Sequence, residues 1–114
     1  YHKQGAYPKA IEFHEKALKI HLETLGEDHP HIATDYSNLG LVYHSQGDYP
    51  KAAVFHKKAL KVYLEALGED HHLVATSYGN LGSVYHAQGD YTKAVLFHEK
   101  ALKIDIDTLG EDHP

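Results

Sequence analysis

Histidine is the residue of this sequence best suited to chemistry, because it binds metal ions and transfers protons near neutral pH. The chain has twelve histidines among its 114 residues and no cysteine. Nine of them form three sets, and the members of each set are 42 residues apart. Two more histidines lie close in sequence to members of the third set. The sets and these neighbours are His2, His44 and His86; His14, His56 and His98; His29, His71 and His113; and the neighbours His31 and His72.

Metal binding is the more specific of two interpretations of this histidine pattern. A helical metal site favours ligands four residues apart on one face, and none of these histidines has such a partner. The pairs "His14-Glu15" and "His98-Glu99" begin like the zinc-protease motif, but leucine stands where that motif has its second histidine. We therefore expect no cofactor and no specific metal. Adventitious binding is expected at the loop histidines His29, His31, His71 and His72.

The other interpretation is that histidine serves as an amphipathic packing residue, with an apolar ring body and a polar edge. It has a testable consequence for the set His14, His56 and His98. Burial disfavours the charged form of an imidazole and lowers its pKa. If these rings are buried, we expect the protein to lose stability as the pH falls below about 6.5.

Composition and motifs argue against several functional classes. The chain has 16 acidic and 11 basic residues and a net charge of −5, whereas a nucleic-acid binder needs a basic surface for phosphates. No apolar run approaches the roughly 20 residues of a membrane span. No nucleophile–base pair, glycine-rich phosphate loop or carboxylate pair stands out from the repeats. We predict neither an enzyme, nor a nucleic-acid binder, nor a membrane protein.

The whole chain is an array of 42-residue repeats. The first 42 residues and the next 42 are identical at 28 positions, with no insertion or deletion. The phrase "LGEDHP", once as "LGEDHH", occurs three times at the same interval. We divide the chain into a partial repeat at 1–29 and full repeats at 30–71 and 72–114.

Each full repeat is predicted to be a pair of helices, because apolar residues recur three and four positions apart in both of its halves. Asp28 or His29 can cap a helix that begins at Pro30, and Gly47 suits a left-handed turn after that helix. Gly40 leaves room inside the apolar stripe for close helix packing. One pair cannot bury its own stripe, so successive pairs must stack. Five full helices are predicted, roughly Pro8–Leu25, Pro30–Gln46, Pro50–Leu67, His72–Gln88 and Thr92–Leu109.

The repeat resembles the tetratricopeptide repeat. The pattern that carries the resemblance is Tyr36, Asn38, Leu39, Gly40, Tyr43, Gln46, Gly47, Asp48, Tyr49, Ala52, Phe55, Ala59 and Leu60. The 42-residue stride is similar to the variety found in kinesin light chains and related scaffold proteins. The resemblance implies an all-α fold, a right-handed α-solenoid of stacked antiparallel helix pairs, and a non-catalytic protein–protein interaction module. We expect a cytoplasmic location.

In this family the first helices of the pairs line a concave groove that binds an extended peptide or a partner helix. The matching positions here are Thr34, Ser37, Asn38, Leu41, His44, Ser45, Thr76, Gly79, Asn80, Ser83, His86 and Ala87, with His2 and Lys3 from the partial repeat. Asn38 and Asn80 match the groove asparagine of the family. No lysine or arginine stands where chaperone adaptors of the family grip a C-terminal carboxylate. Solvated polar residues without a ligand are the alternative.

Neither end of the array shows a polar capping helix, although solenoids need covered ends. Ile11, Phe13, Val95 and Leu96 would therefore have little to pack against, and we predict self-association by end-to-end stacking or by helix exchange. The sequence thus predicts a scaffold that binds a protein or peptide. A self-associating array and a histidine-based metal-binding protein remain as alternatives.

Overall fold

A computed structural model describes residues 6–109 of the chain. It contains the helices α1 (Ala6–Leu25), α2 (Pro30–Gln46), α3 (Tyr49–Leu67), α4 (His72–Ala87) and α5 (Tyr91–Leu109). No strand occurs within this part of the chain. The predicted all-α fold with five full helices is therefore confirmed, and each predicted boundary lies within two residues of the observed one.

The helices form a right-handed α-solenoid of antiparallel pairs. Each helix packs against the next along the chain, and α2 also contacts α4. The pair α2–α3 stacks on the pair α4–α5 through the interface of α3 with α4. This stacking buries apolar surface that one pair would leave in water.

The helix ends follow the local sequence. His29 is the N-cap of α2, and its Nδ1 atom accepts a hydrogen bond from the backbone N–H of His31 at 3.1 Å. His71 caps α4 in the same way. Gly47 ends α2 in the left-handed conformation with φ of 90°, which glycine adopts without steric cost. The recurrent linker thus supplies the N-cap of both α2 and α4.

The core is built from aromatic rings and small residues that repeat from pair to pair. The ring of Phe55 stacks on Tyr43 at a centroid distance of 5.5 Å and an interplanar angle of 2°. Gly40 makes room for a side chain of the neighbouring helix, because a Cβ atom there would lie 2.7 Å from the ring of His56. The predicted close approach at Gly40 is confirmed, and a histidine ring is what occupies the space.

Candidate functional site

The predicted groove residues lie on α2 and α4, the first helices of the two full repeats. These two helices contact each other, so the two rows of side chains are neighbours. Ten of the predicted groove residues are the main candidates for ligand contact, and none of them is buried: six are exposed and four are half-buried. The exposed ones are Thr34, Leu41, Ser45, Thr76, Ser83 and His86, and the half-buried ones are Ser37, Asn38, His44 and Asn80. His2 and Lys3 lie outside the described residues.

The two threonine hydroxyls in this surface, those of Thr34 and Thr76, are already engaged within the fold. The Oγ1 atom of Thr34 lies 2.8 Å from the phenol oxygen of Tyr63 on α3. Thr76 donates from its hydroxyl to the backbone carbonyl of His72 at 3.0 Å. By contrast, Asn38 and Asn80 make no side-chain hydrogen bond to another described residue. The donors and acceptors of the two amides are therefore not used within this part of the chain.

The groove histidines are held by aromatic contacts. His44 packs edge-on against Tyr49 with a centroid distance of 5.3 Å, and His86 packs in the same way against Tyr91 at 5.0 Å. Both tyrosines lie at the start of the next helix. These contacts limit ring rotation and leave part of each imidazole accessible.

An apolar depression adjoins one end of these rows. Its volume is about 210 Å³. It is lined by Leu41, Val42 and Ser45 of α2 and by Ala6, Tyr7 and Ala10 of α1. Leu41 is 48% exposed, which is high for a leucine in a folded chain. The α1 side of this pocket was missed by sequence reasoning, because small alanines give no signal of a cavity until their neighbours are placed.

Two larger cavities lie beside the linkers and differ chemically from the groove. They have volumes of about 340 and 260 Å³ and are lined by equivalent residues of successive repeats. In the first, Lys58 and Lys61 stand with acidic residues of α3 and of the linker. The ammonium group of Lys58 also lies 5.5 Å above the ring of Tyr36. Each cavity is lined by three carboxylates and two ammonium groups, so opposite charges offset one another except for one excess negative charge.

His56 is a buried polar residue at the interface of two helix pairs. Its side chain has no exposed surface. Neither ring nitrogen has a hydrogen-bond partner within the described chain. Burial, and to a smaller extent the charge of the nearby His44, together lower the pKa of His56 from 6.5 to about 4. The predicted burial is confirmed for His56, whereas the equivalent His14 is half-buried and His98 is exposed.

A histidine that the sequence left unassigned, His21, takes part in a polar contact between α1 and α2. Its Nδ1 atom lies 2.6 Å from the Oδ2 atom of Asp35, which is only 6% exposed. The ring also stacks on His31 at a centroid distance of 5.9 Å. The repeat pattern could not reveal this pair, because the equivalent positions hold Tyr63 and Asp105 in place of His21, and Ser77 in place of Asp35.

The loop histidines pack against one another as stacked rings. His29 and His31 stack face to face at 4.9 Å with an angle of 10° between their planes. The lone pairs of an imidazole lie in the ring plane, so stacked rings do not direct them to one point. Among residues 6–109, no three His, Cys, Asp or Glu side chains are arranged to hold a metal ion.

Comparison with known proteins places the chain in a family. A family model described as "Tetratricopeptide repeat" matches residues 1–65 and 54–107. The chain belongs to the tetratricopeptide repeat family. The crystal structure of BtubC (BKLC) from P. vanneervenii is similar, with a TM-score of 0.84 and 34% sequence identity over 96% of this chain and 43% of that chain. No curated protein matches the chain.

Membership of the tetratricopeptide repeat family confirms the resemblance that the aromatic and glycine pattern indicated, including its kinesin-light-chain-like variety. The family consists in general of protein–protein interaction scaffolds without catalytic activity. The chain spans less than half of the BtubC chain. Of the helices described, none is both long and apolar enough to cross a membrane.

Proposed function

We propose that this tetratricopeptide array is a non-catalytic scaffold that binds an extended peptide or a partner helix along the surface of α2 and α4. The observation that carries the proposal is the pair of half-buried amides, Asn38 and Asn80, which have no partner within the described fold. A carboxamide can accept a hydrogen bond from a peptide N–H and donate one to a peptide carbonyl. Each asparagine can therefore bind the backbone of a peptide whatever side chains that peptide carries.

The spacing of the two amides suits an extended ligand. Packed helices lie about 10 Å apart, and an extended chain advances roughly 3.3 Å per residue. Asn38 and Asn80 would therefore contact backbone groups about three residues apart. The apolar depression beside Leu41 would receive an apolar side chain of the same ligand. Because Thr34, Ser37 and Thr76 carry no positive charge, an internal segment is favoured over a free carboxyl terminus.

Selection from a random peptide library provides the test. The double variant Asn38→Ala/Asn80→Ala should bind the selected peptides at least about tenfold more weakly, since each lost amide contact to a desolvated backbone group is worth about 1 kcal/mol or more. The matched control is Gln46→Ala/Gln88→Ala, which removes two exposed amides near the helix ends. If the selected peptides bind Asn38→Ala/Asn80→Ala as tightly as they bind the original chain, the proposal is wrong.

The apolar depression can be tested separately with Leu41→Ser. The next repeat has serine at the equivalent position, Ser83, so the change is compatible with the fold. Peptides that carry a large apolar residue should lose affinity, while peptides without one should keep theirs. Equal effects on both groups would show that the depression takes no side chain.

Self-association is the second candidate function. It is favoured by the exposure of large apolar side chains on α1 and α5, with Phe13 68%, Val95 54% and Leu96 52% exposed. Ile11 is partly buried and packs against the core, so it contributes less than the sequence predicts. We also propose that the protein is cytoplasmic and that its partner is a protein or peptide.

A further inference from the structure

The helices α2 and α4 differ in charge from the other three helices. Every lysine and every glutamate of the five helices lies on α1, α3 or α5. On α2 and α4 the acidic and basic residues other than histidine reduce to Asp35. Asp35 is 6% exposed and lies 2.6 Å from the Nδ1 atom of His21. The described surface of α2 and α4 therefore carries no exposed charge that is fixed at neutral pH.

Two histidines can give this surface a charge. Among the described residues predicted to line the groove, they are His44, which is half-buried, and His86, which is exposed. An imidazole gains a positive charge in mildly acidic solution. His44 and His86 follow Asn38 and Asn80 by six residues, which is roughly 9 Å along a helix axis. Each helix thus presents one amide and one titratable ring to the same groove.

Both histidines lie in the last turn of their helix. The carbonyl groups at the C-terminus of a helix carry partial negative charge, which repels an anion and attracts a cation. At neutral pH, this end of the groove is therefore unfavourable for a carboxylate. When His44 and His86 are protonated, the same end presents two positive charges.

The fixed charges near these rings belong to the turns and to α3 and α5. Asp48 and Asp90 precede α3 and α5, and their Oδ1 atoms accept hydrogen bonds from backbone N–H groups. Three ammonium groups lie over the rings of Tyr43 or Tyr85, and they belong to Lys51, Lys57 and Lys93. Within residues 6–109, neither His44 nor His86 forms an ion pair with any of these groups.

The other titratable groups beside the two histidines are aromatic rings. His44 contacts Tyr49 and lies near the buried His56, whose pKa is lowered to about 4. His86 contacts Tyr91. From α1, Tyr7 lines the apolar depression next to the end of α2. A phenol does not ionise between about pH 6 and 7.5, and His56 stays neutral there. The charge at this end of the groove therefore changes through His44 and His86.

We infer that the groove binds peptides with carboxylate side chains more tightly in mild acid than at neutral pH, because His44 and His86 take up protons when such a peptide binds. Its carboxylates contact the two imidazolium groups, while Asn38 and Asn80 bind its backbone. Packed helices lie about 10 Å apart, so the acidic residues are about two to four positions apart in an extended peptide. The inference rests on the proposed groove binding and adds the chemistry of the ligand and the control by pH.

The sign of the effect follows from the charges of the two partners. An imidazole loses its charge as the pH rises through about 6.5, whereas aspartate and glutamate keep theirs above about 4.3. The attraction is therefore present between these values and is lost towards neutral pH. An exposed ion pair changes a binding constant by a factor of up to about five. Two such pairs should tighten binding roughly threefold to tenfold, and salt should weaken this gain.

Selection from the random peptide library at about pH 6, and separately at about pH 7.5, tests the inference. Peptides selected at the lower pH should be enriched in aspartate and glutamate. Isothermal titration calorimetry would compare one such peptide with an analogue in which each carboxylate is replaced by an amide. The acidic peptide should bind roughly threefold to tenfold more tightly at the lower pH, and the amide analogue should bind equally at both. Circular dichroism would verify that the helices persist at the lower pH.

A double variant shows whether the two groove histidines are responsible. His44→Gln/His86→Gln should bind the acidic peptide with the same dissociation constant at both pH values, because glutamine carries no charge. The matched control is His31→Gln/His72→Gln, which removes two histidines from the first turns of α2 and α4 and should keep the pH dependence. If His44→Gln/His86→Gln kept the pH dependence, or if the acidic peptide gained no affinity over its amide analogue in acid, the inference would be wrong.

The asparagine variant separates this inference from groove binding itself. If peptides bound through Asn38 and Asn80 equally well at both pH values, the inference about pH would be wrong and groove binding would stand. If no selected peptide lost affinity for Asn38→Ala/Asn80→Ala at either pH, groove binding would be wrong, and this inference would fail with it.

Discussion

Replacing His56 by phenylalanine should remove a large part of the acid sensitivity of this fold. His56 has no exposed surface, and burial together with the charge of His44 lowers its pKa from 6.5 to about 4. A histidine whose pKa is lower in the folded state takes up its proton more readily in the unfolded chain. The free energy of unfolding therefore falls as the pH drops through 6.5, and the loss levels off below about 4.

The size of the effect follows from the shift in pKa. Each pH unit within this window costs up to about 1.4 kcal/mol of stability, which gives about 2 kcal/mol at pH 5 and about 3 kcal/mol near pH 4. A loss of about 2 kcal/mol lowers the melting temperature of a domain of this size by roughly 8 °C. This loss is a large fraction of the total free energy of unfolding of a small domain, which is about 5–15 kcal/mol.

Urea unfolding followed by far-ultraviolet circular dichroism, at about pH 7.5 and about pH 5, measures the effect. Other histidines and carboxylates also titrate in this range, so the quantity to compare is the difference between the two pH values in each variant. His56→Phe should reduce that difference by about 2 kcal/mol. His98→Phe changes the equivalent but exposed residue and should leave the difference close to that of the original chain.

The absolute stability of His56→Phe does not decide the question, because the larger ring can strain the space over Gly40. Only the change with pH reports the proton linkage. If His56→Phe lost as much stability between the two pH values as the original chain does, burial of His56 would not be the source of the acid sensitivity.

Three more substitutions test the packing. Gly40→Ala should cost about 1–3 kcal/mol, because its methyl group would lie 2.7 Å from the ring of His56. Gly79→Ala should instead stabilise α4 by up to about 1 kcal/mol, since no atom lies within 4 Å of the new methyl group. If Gly40→Ala and Gly79→Ala changed the free energy of unfolding in urea by the same amount, the expected contrast between them would be wrong. Ser77→Ala should be neutral or stabilising by up to about 1 kcal/mol, because the buried hydroxyl has no hydrogen-bond partner in the described chain. A loss above about 1 kcal/mol in the same assay would mean that this hydroxyl is satisfied.

The helices were predictable because their signals are local and occur in every repeat. Pro30 and the histidine before it mark the start of α2, and Gly47 marks its end, as the sequence predicts. The cap itself was ambiguous between Asp28 and His29, and the structure assigns it to the Nδ1 atom of His29. Helix-terminus chemistry acts over a few residues, so one sequence is enough to locate it.

The environment of each side chain was less predictable, because it depends on which helix lies alongside. His56 and His98 occupy the same position in successive repeats, yet one is buried and the other exposed. The contact of His21 with Asp35 crosses two helices, and neither residue type is kept in the next repeat. Repeat symmetry predicts the backbone well, whereas departures from that symmetry have to be seen in three dimensions.

The chain reverses direction at glycines that are evenly spaced. Gly26, Gly47, Gly68 and Gly89 follow each other every 21 residues, and their φ angles all lie between 86° and 90°. Each repeat therefore consists of two segments of equal length, joined by two different glycine turns, with ψ of 5° at Gly47 and ψ of 169° at Gly68. In an array built this way, adding a repeat extends the molecule by a constant step and rotation, so the number of repeats sets the length of the array.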